Sequence, residues 1–104
     1  DTFGKNPPKP GEGPSKEERE NGFYDILFIG NTEDGNQMMA SVKGDKDPGY
    51  GSTSKMISES ALTLVKDVGR DQTGGGVYTT APALGVALID RLQDHAGLTF
   101  TLEG

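Results

Sequence analysis

The strongest constraint on the fold is an apolar run followed by a tight-turn signal. Residues 23–30 read FYDILFIG, and their β-branched and aromatic side chains at consecutive positions are typical of a strand covered on both faces. The pair Asp34-Gly35 tolerates the positive φ angles of a type I′ turn, and residues 37–43 can return as the partner strand. The sequence therefore predicts a β-hairpin, which needs further elements to cover it.

A first helix is indicated by apolar residues at helical spacing downstream of the hairpin. They are Ile57, Ala61, Leu64, Val65 and Val68, and Gly69 follows them as a stop signal. Ser52, Thr53 and Ser54 precede this pattern, and the hydroxyl of any of them could cap the helix. The opposite face is expected to be in contact with water, and it carries Lys55, Glu59, Thr63 and Lys66.

A second helix and a final strand complete the pattern. Pro82 suits the first turn of a helix, and Gly97 is placed to end that helix in a left-handed conformation. One side of this helix is apolar: Ala81, Leu84, Leu88, Leu92 and Ala96. Leu98, Phe100 and Leu102 then alternate with threonines, as in a half-buried strand. The order predicts an α+β fold in which the hairpin and the C-terminal strand form a small sheet with two helices packed on one face.

Two regions of different composition divide the chain. Residues 1–22 hold four of the six prolines and are expected to run as an extended segment, mobile over about the first 14 residues, with a possible short helix. Ser15 and Glu18 form the S-x-x-E pattern of a capping box at the start of that helix. Residues 23–104 must therefore supply the core and are expected to form the α+β domain.

Composition excludes several classes of function. The net charge of −6 disfavours binding to nucleic-acid phosphates or to an anionic membrane surface. With no cysteine and one histidine, the chain has no thiolate nucleophile, no disulfide and no cysteine or histidine cluster for zinc. No apolar run approaches the about 20 residues that span a membrane, and the N-terminus does not resemble a secretory signal. We therefore expect a cytoplasmic protein.

The loop over residues 47–55 is the best candidate for a binding site, because glycines and hydroxyls lead directly into a helix start. Free amides and the helix dipole favour an anion at such a place. The candidate residues for binding substrate or another anion are Tyr50, Gly51, Ser52, Thr53 and Lys55. An ordinary capped helix behind a flexible loop explains the same residues and is the more frequent case. No catalytic residue is predicted.

No cofactor or metal site is recognisable in this chain. Residues 74–76 are three glycines, but they lack the G-x-G-x-x-G spacing between a strand and a helix that dinucleotide binding needs. They are therefore interpreted as a flexible connector. His95 falls in the last turn of the second helix, where a structural or solvent-facing role is expected.

Four blocks of the sequence carry a family resemblance. They are PKPGEGPSKEERENGFYDILFIG, DPGYGSTSKMISESALTLV, GGGVYTTAPALGVALIDRL and AGLTFTLEG. Together they resemble the closing segment of saccharopine dehydrogenase-like oxidoreductases, a group that includes the bacterial trans-acting enoyl reductases. The resemblance implies a longer parent protein with an N-terminal Rossmann domain for NAD or NADP and a C-terminal α+β domain that covers the substrate and often makes subunit contacts.

Two functions remain open from the sequence. In the first, the chain is a C-terminal fragment of an oxidoreductase of this kind, inactive alone, with the Rossmann domain of the parent chain as its partner and a homodimer possible in the parent. The first residue is aspartate, which we interpret as the result of processing or excision. In the second, the chain is an autonomous acidic protein-binding module whose exposed hairpin edge accepts a partner strand.

Overall fold

The computed structural model describes residues 9–103, which form an α+β fold with one small sheet. The sheet has three antiparallel strands in the order β1-β2-β3, so the final strand joins the hairpin as predicted. In chain order the elements are α1 (Lys16–Asn21), β1 (Tyr24–Asn31), β2 (Gln37–Gly44), α2 (Gly51–Lys66), α3 (Thr80–His95) and β3 (Leu98–Glu103).

The short helix α1 begins with the predicted capping box. The Glu18 amide donates to the Ser15 hydroxyl, and the Ser15 amide donates to the Glu18 carboxylate at 2.8 Å. These bonds satisfy amides that the first turn leaves without a helical partner, so a helix of six residues can form. Residues 9–14 form neither helix nor strand, and the predicted extended course of residues 1–8 lies outside the described residues.

The hairpin is confirmed, but its turn differs from the predicted type I′ turn. A type I′ turn needs positive φ at both central residues, whereas Gly35 alone in this loop has it, at φ 85°. The Gly35 amide donates to the Thr32 carbonyl at 3.0 Å, and the Thr32 amide donates to the Asn36 carbonyl at 2.9 Å. The connection is therefore a three-residue loop in which one glycine takes the left-handed position.

Strand β1 is exposed on both faces, which corrects the expectation that it is covered on both sides. Its exposed apolar side chains retain 46% to 55% of their accessible surface: Ile26, Leu27, Phe28 and Ile29. The strand lies at one edge of the sheet, and α3 packs over the other side of the sheet, against β3. Its apolar pattern therefore matches a strand with neighbours that the described residues do not supply.

The core lies between α3 and the β2-β3 half of the sheet. Leu92, Ala96 and Leu98 form its centre, and half-buried residues pack around them: Val42, Met56, Leu88 and Phe100. The predicted apolar face of α3 is confirmed except at Ala81, which is exposed. Gly97 follows the helix at φ 71°, as predicted, and lets the chain turn directly into β3.

Helix α3 is interrupted at Gly85, which the sequence analysis did not anticipate. Gly85 has φ 53° and ψ −139°, a combination far from helical values and accessible mainly to glycine. The hydroxyl of Thr73 donates to the carbonyl of Ala83 at 2.7 Å, so a backbone acceptor beside the interruption has a partner. The interruption bends the helix and separates its first turn from the segment that reaches the core.

Helix α2 is oriented opposite to the prediction. The face expected in water contains fully buried Thr63 and half-buried Glu59, whereas the apolar side chains of Leu64 and Val65 remain 59% and 80% exposed. The buried polar groups have partners, since the Thr63 hydroxyl donates to the Glu59 carbonyl at 2.7 Å. Burial of that face is therefore compatible with its chemistry, and the apolar stripe of α2 is left uncovered.

The chain has more surface than a closed domain of its size. It exposes 8083 Å², whereas a compact monomer of 11.0 kDa exposes about 5,600 Å². The radius of gyration is 17.0 Å, compared with about 13 Å for a compact domain of this length. The fold is an open layer whose apolar side chains on β1 and α2 face outward.

Candidate functional site

The predicted binding loop does gather at one place, the N-terminus of α2. The helix begins at Gly51 with Tyr50 as its N-cap, and the Tyr50 side chain makes no hydrogen bond to the first turn. Ser52, Thr53 and Ser54 lie inside the helix, so the prediction that one of them is the N-cap is wrong. An acidic residue upstream performs that role instead.

Asp47 occupies the amides that an external anion would need. Its carboxylate accepts from the amides of Tyr50 at 2.7 Å and Gly51 at 3.2 Å, and its carbonyl accepts from the Ser52 amide at 2.7 Å. The amide of Tyr50, and after it that of Gly51, lower the pKa of Asp47 below its ordinary value. An incoming phosphate or carboxylate would therefore have to displace a carboxylate that is ionised at neutral pH.

The hydroxyls of the loop are also engaged within the chain. Fully buried Ser52 shares a hydrogen bond of 2.8 Å with the Tyr24 hydroxyl, which joins α2 to β1. The Thr53 hydroxyl donates to the Pro48 carbonyl at 2.6 Å. Two of the five candidate residues, Ser52 and Thr53, therefore have a structural role.

Thr53 is exposed, but its hydroxyl is engaged, so Tyr50 and Lys55 are the candidates whose side-chain polar groups make no hydrogen bond within the described residues. Tyr50 is 64% exposed, and the Lys55 ammonium lies 3.9 Å from the Asp45 carboxylate with 38% of its side chain exposed. A weak exposed ion pair of this kind contributes little to stability and leaves the ammonium able to contact a ligand. A binding role for Tyr50, Gly51, Ser52, Thr53 and Lys55 stays a prediction.

Two glycines hold this loop against its neighbours. A Cβ at Gly44 would overlap the ring of Tyr24, and a Cβ at Gly22 would lie 2.7 Å from the backbone nitrogen of Asp47. The Asp47 amide donates to the Arg19 carbonyl at 3.1 Å, so α1 docks directly on the loop. The absent side chains therefore allow β1, α1 and the start of α2 to approach one another closely.

A second concave surface, which sequence reasoning missed, lies between α2, the connector over residues 69–79 and the first turn of α3. The larger cavity here has a volume of about 590 Å³, and its lining includes Leu64, Val68, Tyr78, Ala83 and the three consecutive glycines. A neighbouring cavity of about 240 Å³ shares Leu64, Tyr78 and Ala83. We call this surface the α2-α3 groove. The only sequence signal for it is glycine-rich composition, which was interpreted as a connector.

An ion-pair network joins the two helices beside this groove. The Arg91 guanidinium contacts the carboxylates of Asp67 at 2.7 Å and Glu59 at 3.1 Å. The hydrogen bond to Asp67 is the largest cause of the raised pKa of Arg91, and the bond from Arg91 lowers the pKa of Asp67. Through these contacts the network ties α2 to α3.

The three consecutive glycines do not form a dinucleotide-binding turn. The three glycines at residues 74–76 follow a helix rather than a strand, and three further residues separate them from α3. A phosphate-binding turn needs a strand before it and a helix start directly after it. Over residues 9–103, no group of three potential metal-ligating side chains comes together, and no helix is long and apolar enough to cross a membrane.

Comparisons with known proteins identify curated relatives over most of the chain. A Mycobacterium tuberculosis protein is 42% identical, and trans-acting enoyl reductases of Mycobacterium ulcerans and Mycobacterium bovis are 40% and 38% identical, each over 85 residues or 82% of this chain. All three carry trans-acting enoyl reductase in their names. The chain spans about a fifth of their length. No family model matches the chain, and no solved structure does.

Proposed function

We propose that the chain is one segment of a longer enoyl reductase of the saccharopine dehydrogenase-like type, and that it supplies substrate-side surface or subunit contacts. The observation that carries this proposal is the identity of 38% to 42% over 82% of the chain with proteins named trans-acting enoyl reductases, of which the chain covers only 20%. The remaining four-fifths of such a protein would hold the cofactor domain.

The chemistry of an enoyl reductase sets what the rest of the protein must provide. Reduction of a double bond conjugated to a carbonyl adds a hydride to one carbon and a proton to the other. NADH or NADPH is the hydride donor that we assign to the parent protein, bound in its Rossmann domain. The glycines of this chain do not fit that cofactor, so its own residues serve the substrate or the protein partner.

The α2-α3 groove is the surface that we assign to the substrate. It is open, and Leu64, Val68 and Tyr78 give it an apolar lining that suits the hydrocarbon part of an acyl chain. Lys55 and Tyr50 lie at the other end of α2, where the helix begins, and are available for a polar group of the substrate. This assignment rests on the shape and chemistry of the two places.

Cofactor titration of the chain and enzyme assays of the full-length protein test the proposal. In calorimetric titrations the 104-residue chain is expected to bind neither NADH nor NADPH, whereas the full-length protein is expected to oxidise one of them in the presence of an α,β-unsaturated acyl thioester. Leu64→Lys in the full-length protein is expected to raise KM for the acyl substrate at least about tenfold. The matched control is Val77→Lys, at a fully exposed position on the connector that borders the α2-α3 groove. Cofactor binding by the chain alone, tighter than about 100 μM, would overturn the proposal.

A second candidate is favoured by the exposure of β1. An autonomous acidic module could bind a partner strand along this edge, since an unpaired strand presents free backbone donors and acceptors. The reading frame upstream of the chain distinguishes the two functions. A G-x-G-x-x-G motif after a predicted strand, a few hundred codons before Asp1, supports the reductase, and an upstream sequence without one supports the module.

A further inference from the structure

Gly85 divides α3 into two helical pieces. Residues 80–84 form its first turn, and residues 86–95 continue to the core. Between them Gly85 has φ 53° and ψ −139°, whereas an α-helix has φ of about −63° and ψ of about −42°. Sharp interruptions of a helix arise at proline, at glycine or where another group enters the backbone ladder. Pro82 lies in the first turn, where a helix tolerates proline, so Gly85 is the source of the interruption.

The conformation of Gly85 is set by its backbone and not by crowding around it. A Cβ added at this position would meet no neighbouring atom within 4 Å. Glycine adopts positive and negative φ about equally well, so Gly85 can take both the observed conformation and a helical one. We call the observed α3 the interrupted form and an α3 that is helical at Gly85 the continuous form. Both forms are open to glycine, and an L residue with a Cβ favours the continuous form.

Two contacts favour the interrupted form. The hydroxyl of Thr73, on the connector, donates to the carbonyl of Ala83 at 2.7 Å. In a continuous helix this carbonyl accepts from the amide four residues along the chain, that of Ala87. The Leu84 side chain, next to Gly85, is 6% exposed, and rotation of the Gly85 backbone changes the direction of that side chain. The interrupted form is therefore held by one side-chain hydrogen bond and one buried side chain, and the continuous form exchanges them for helical hydrogen bonds.

Unfilled space borders the first turn of α3 in two places. Thr80, Ala83 and Leu84 line the groove cavity of about 240 Å³. Pro82 and Gly85 line a further cavity of about 290 Å³. Packed protein interiors contain few voids larger than a water molecule. The first turn is therefore not closely packed where these cavities border it, and it has room to move.

We propose that the first turn of α3 is a movable wall of the α2-α3 groove, hinged at Gly85, and that an acyl chain in the groove selects the interrupted form. In this form the first turn lies beside Leu64 and Tyr78 and completes the wall of the smaller cavity. In the continuous form the first turn has a different direction relative to α2, so that cavity loses part of its wall. A ligand shifts such an equilibrium towards the form that it binds more tightly. The acyl ligand rests on the function proposed above, whereas the hinge rests on Gly85 and its surroundings alone.

Relaxation-dispersion NMR of the full-length protein, with this segment isotope-labelled, tests the hinge without a ligand. Residues 80–86 should exchange on the microsecond to millisecond timescale with a minor form of about 0.1% to 10%, and residues 88–95 should not. Thr73→Val removes the hydroxyl at nearly constant shape and should raise the minor population at least about threefold. Thr79→Val is the matched control, because the Thr79 side chain makes no capping hydrogen bond to α3. Flat profiles over residues 80–86 in both the wild type and Thr73→Val would overturn the hinge, as would equal minor populations in the two threonine variants.

The chirality of the residue at position 85 distinguishes the two forms. Gly85→Ala should give helical Cα chemical shifts without a break over residues 83–87. D-alanine in place of Gly85, introduced by protein semisynthesis, should keep the interruption, because the observed φ and ψ are the mirror image of an extended conformation that L residues adopt. Gly35→Ala is the control for general destabilisation, since Gly35 also has positive φ, 85°, and no atom within 4 Å of the added Cβ. An interruption that persists in Gly85→Ala would overturn the proposal, and if this variant does not fold, the comparison of Thr73→Val with Thr79→Val decides it.

An acyl thioester tests the coupling between the hinge and the groove. At saturation the decenoyl thioester of N-acetylcysteamine should lower the minor population of the wild-type protein at least about threefold. Gly85→Ala should raise KM for this thioester at least about fivefold, while Gly35→Ala leaves KM unchanged. A minor population that the thioester does not change would overturn the coupling, even where Leu64→Lys raises KM. Failure of the proposed function has a different signature: the full-length protein does not turn over the thioester, although dispersion at residues 80–86 is present. In that case the hinge stands and its acyl ligand is wrong.

Discussion

Two lysine substitutions on α2, Thr63→Lys and Val65→Lys, distinguish the orientation of this helix in the structure from the orientation that its apolar pattern favours. Thr63 is fully buried and Val65 is 80% exposed. The structure therefore predicts strong destabilisation by Thr63→Lys and almost none by Val65→Lys. The apolar pattern predicts the reverse order.

The expected magnitudes follow from burial. An ammonium at position 63 loses its water, and the carboxylates nearest along α2, those of Glu59 and Asp67, already pair with Arg91, so the change costs about 3 kcal/mol or more. At position 65 the ammonium stays in water, and lysine favours the helix slightly more than valine, so the change is within about 0.5 kcal/mol. For a domain of about 100 residues, about 3 kcal/mol corresponds to a fall in Tm of about 12 to 24 °C.

Urea unfolding followed by far-ultraviolet circular dichroism measures both variants, with thermal melts as a second reading. The measurements use one low protein concentration for both variants, so that any association does not alter the comparison of midpoints. Thr63→Lys should unfold at a much lower urea concentration, or be unfolded without urea. Equal midpoints, or a lower midpoint for Val65→Lys, would refute the orientation of α2 described above.

Three further substitutions test particular residues. Gly85→Ala should cost about 1 to 2 kcal/mol because φ is 53° there, whereas Gly74→Ala, with no atom within 4 Å of the added Cβ, should be nearly neutral in the same unfolding assay. Tyr24→Phe should destabilise by about 1 to 2 kcal/mol because it leaves the buried Ser52 hydroxyl without its partner, and an unchanged midpoint would contradict that bond. The Tyr50 amide lowers the folded-state pKa of Asp47 below its unfolded value, so the stability from this carboxylate is present above the unfolded pKa and lost as pH falls through the folded pKa. Asp47→Asn should therefore weaken the acid-side fall of the unfolding free energy, and identical pH profiles would show that Asp47 does not contribute to it.

The candidate site could be predicted from the sequence only as a location. The positions of Tyr50 and Lys55 at the start of α2 follow from local glycine and hydroxyl patterns. The sequence could not show that the Asp47 carboxylate already fills the amides of the turn, because aspartate is common in turns whether or not its side chain bonds to the amides that follow. Ser52 bonds to Tyr24, which is 28 residues away along the chain. Contacts over that distance depend on how the elements pack.

Local patterns determined the elements of this protein. The capping box at Ser15, the left-handed glycine of the hairpin at Gly35 and the helix stop at Gly97 depend on hydrogen bonds and φ angles within a few residues, so local sequence predicts them, although it did not predict the type of the turn at Gly35. The alternation of apolar residues from Leu98 to Leu102 likewise predicted β3. Leu98 is buried and Leu102 is exposed, because the helices cover only the first end of this strand.

Tertiary structure decided which faces are buried. The apolar stripe of α2 predicted a core that the described residues do not provide, because α3 packs on the opposite face, where Arg91 pairs with Glu59. Strand β1 follows the same logic, since its pattern fits a strand with neighbours on both sides and it lies at the edge of the sheet. A periodic apolar pattern indicates that one face of an element is suited to burial. It does not indicate which part of the polypeptide, or which partner, covers that face.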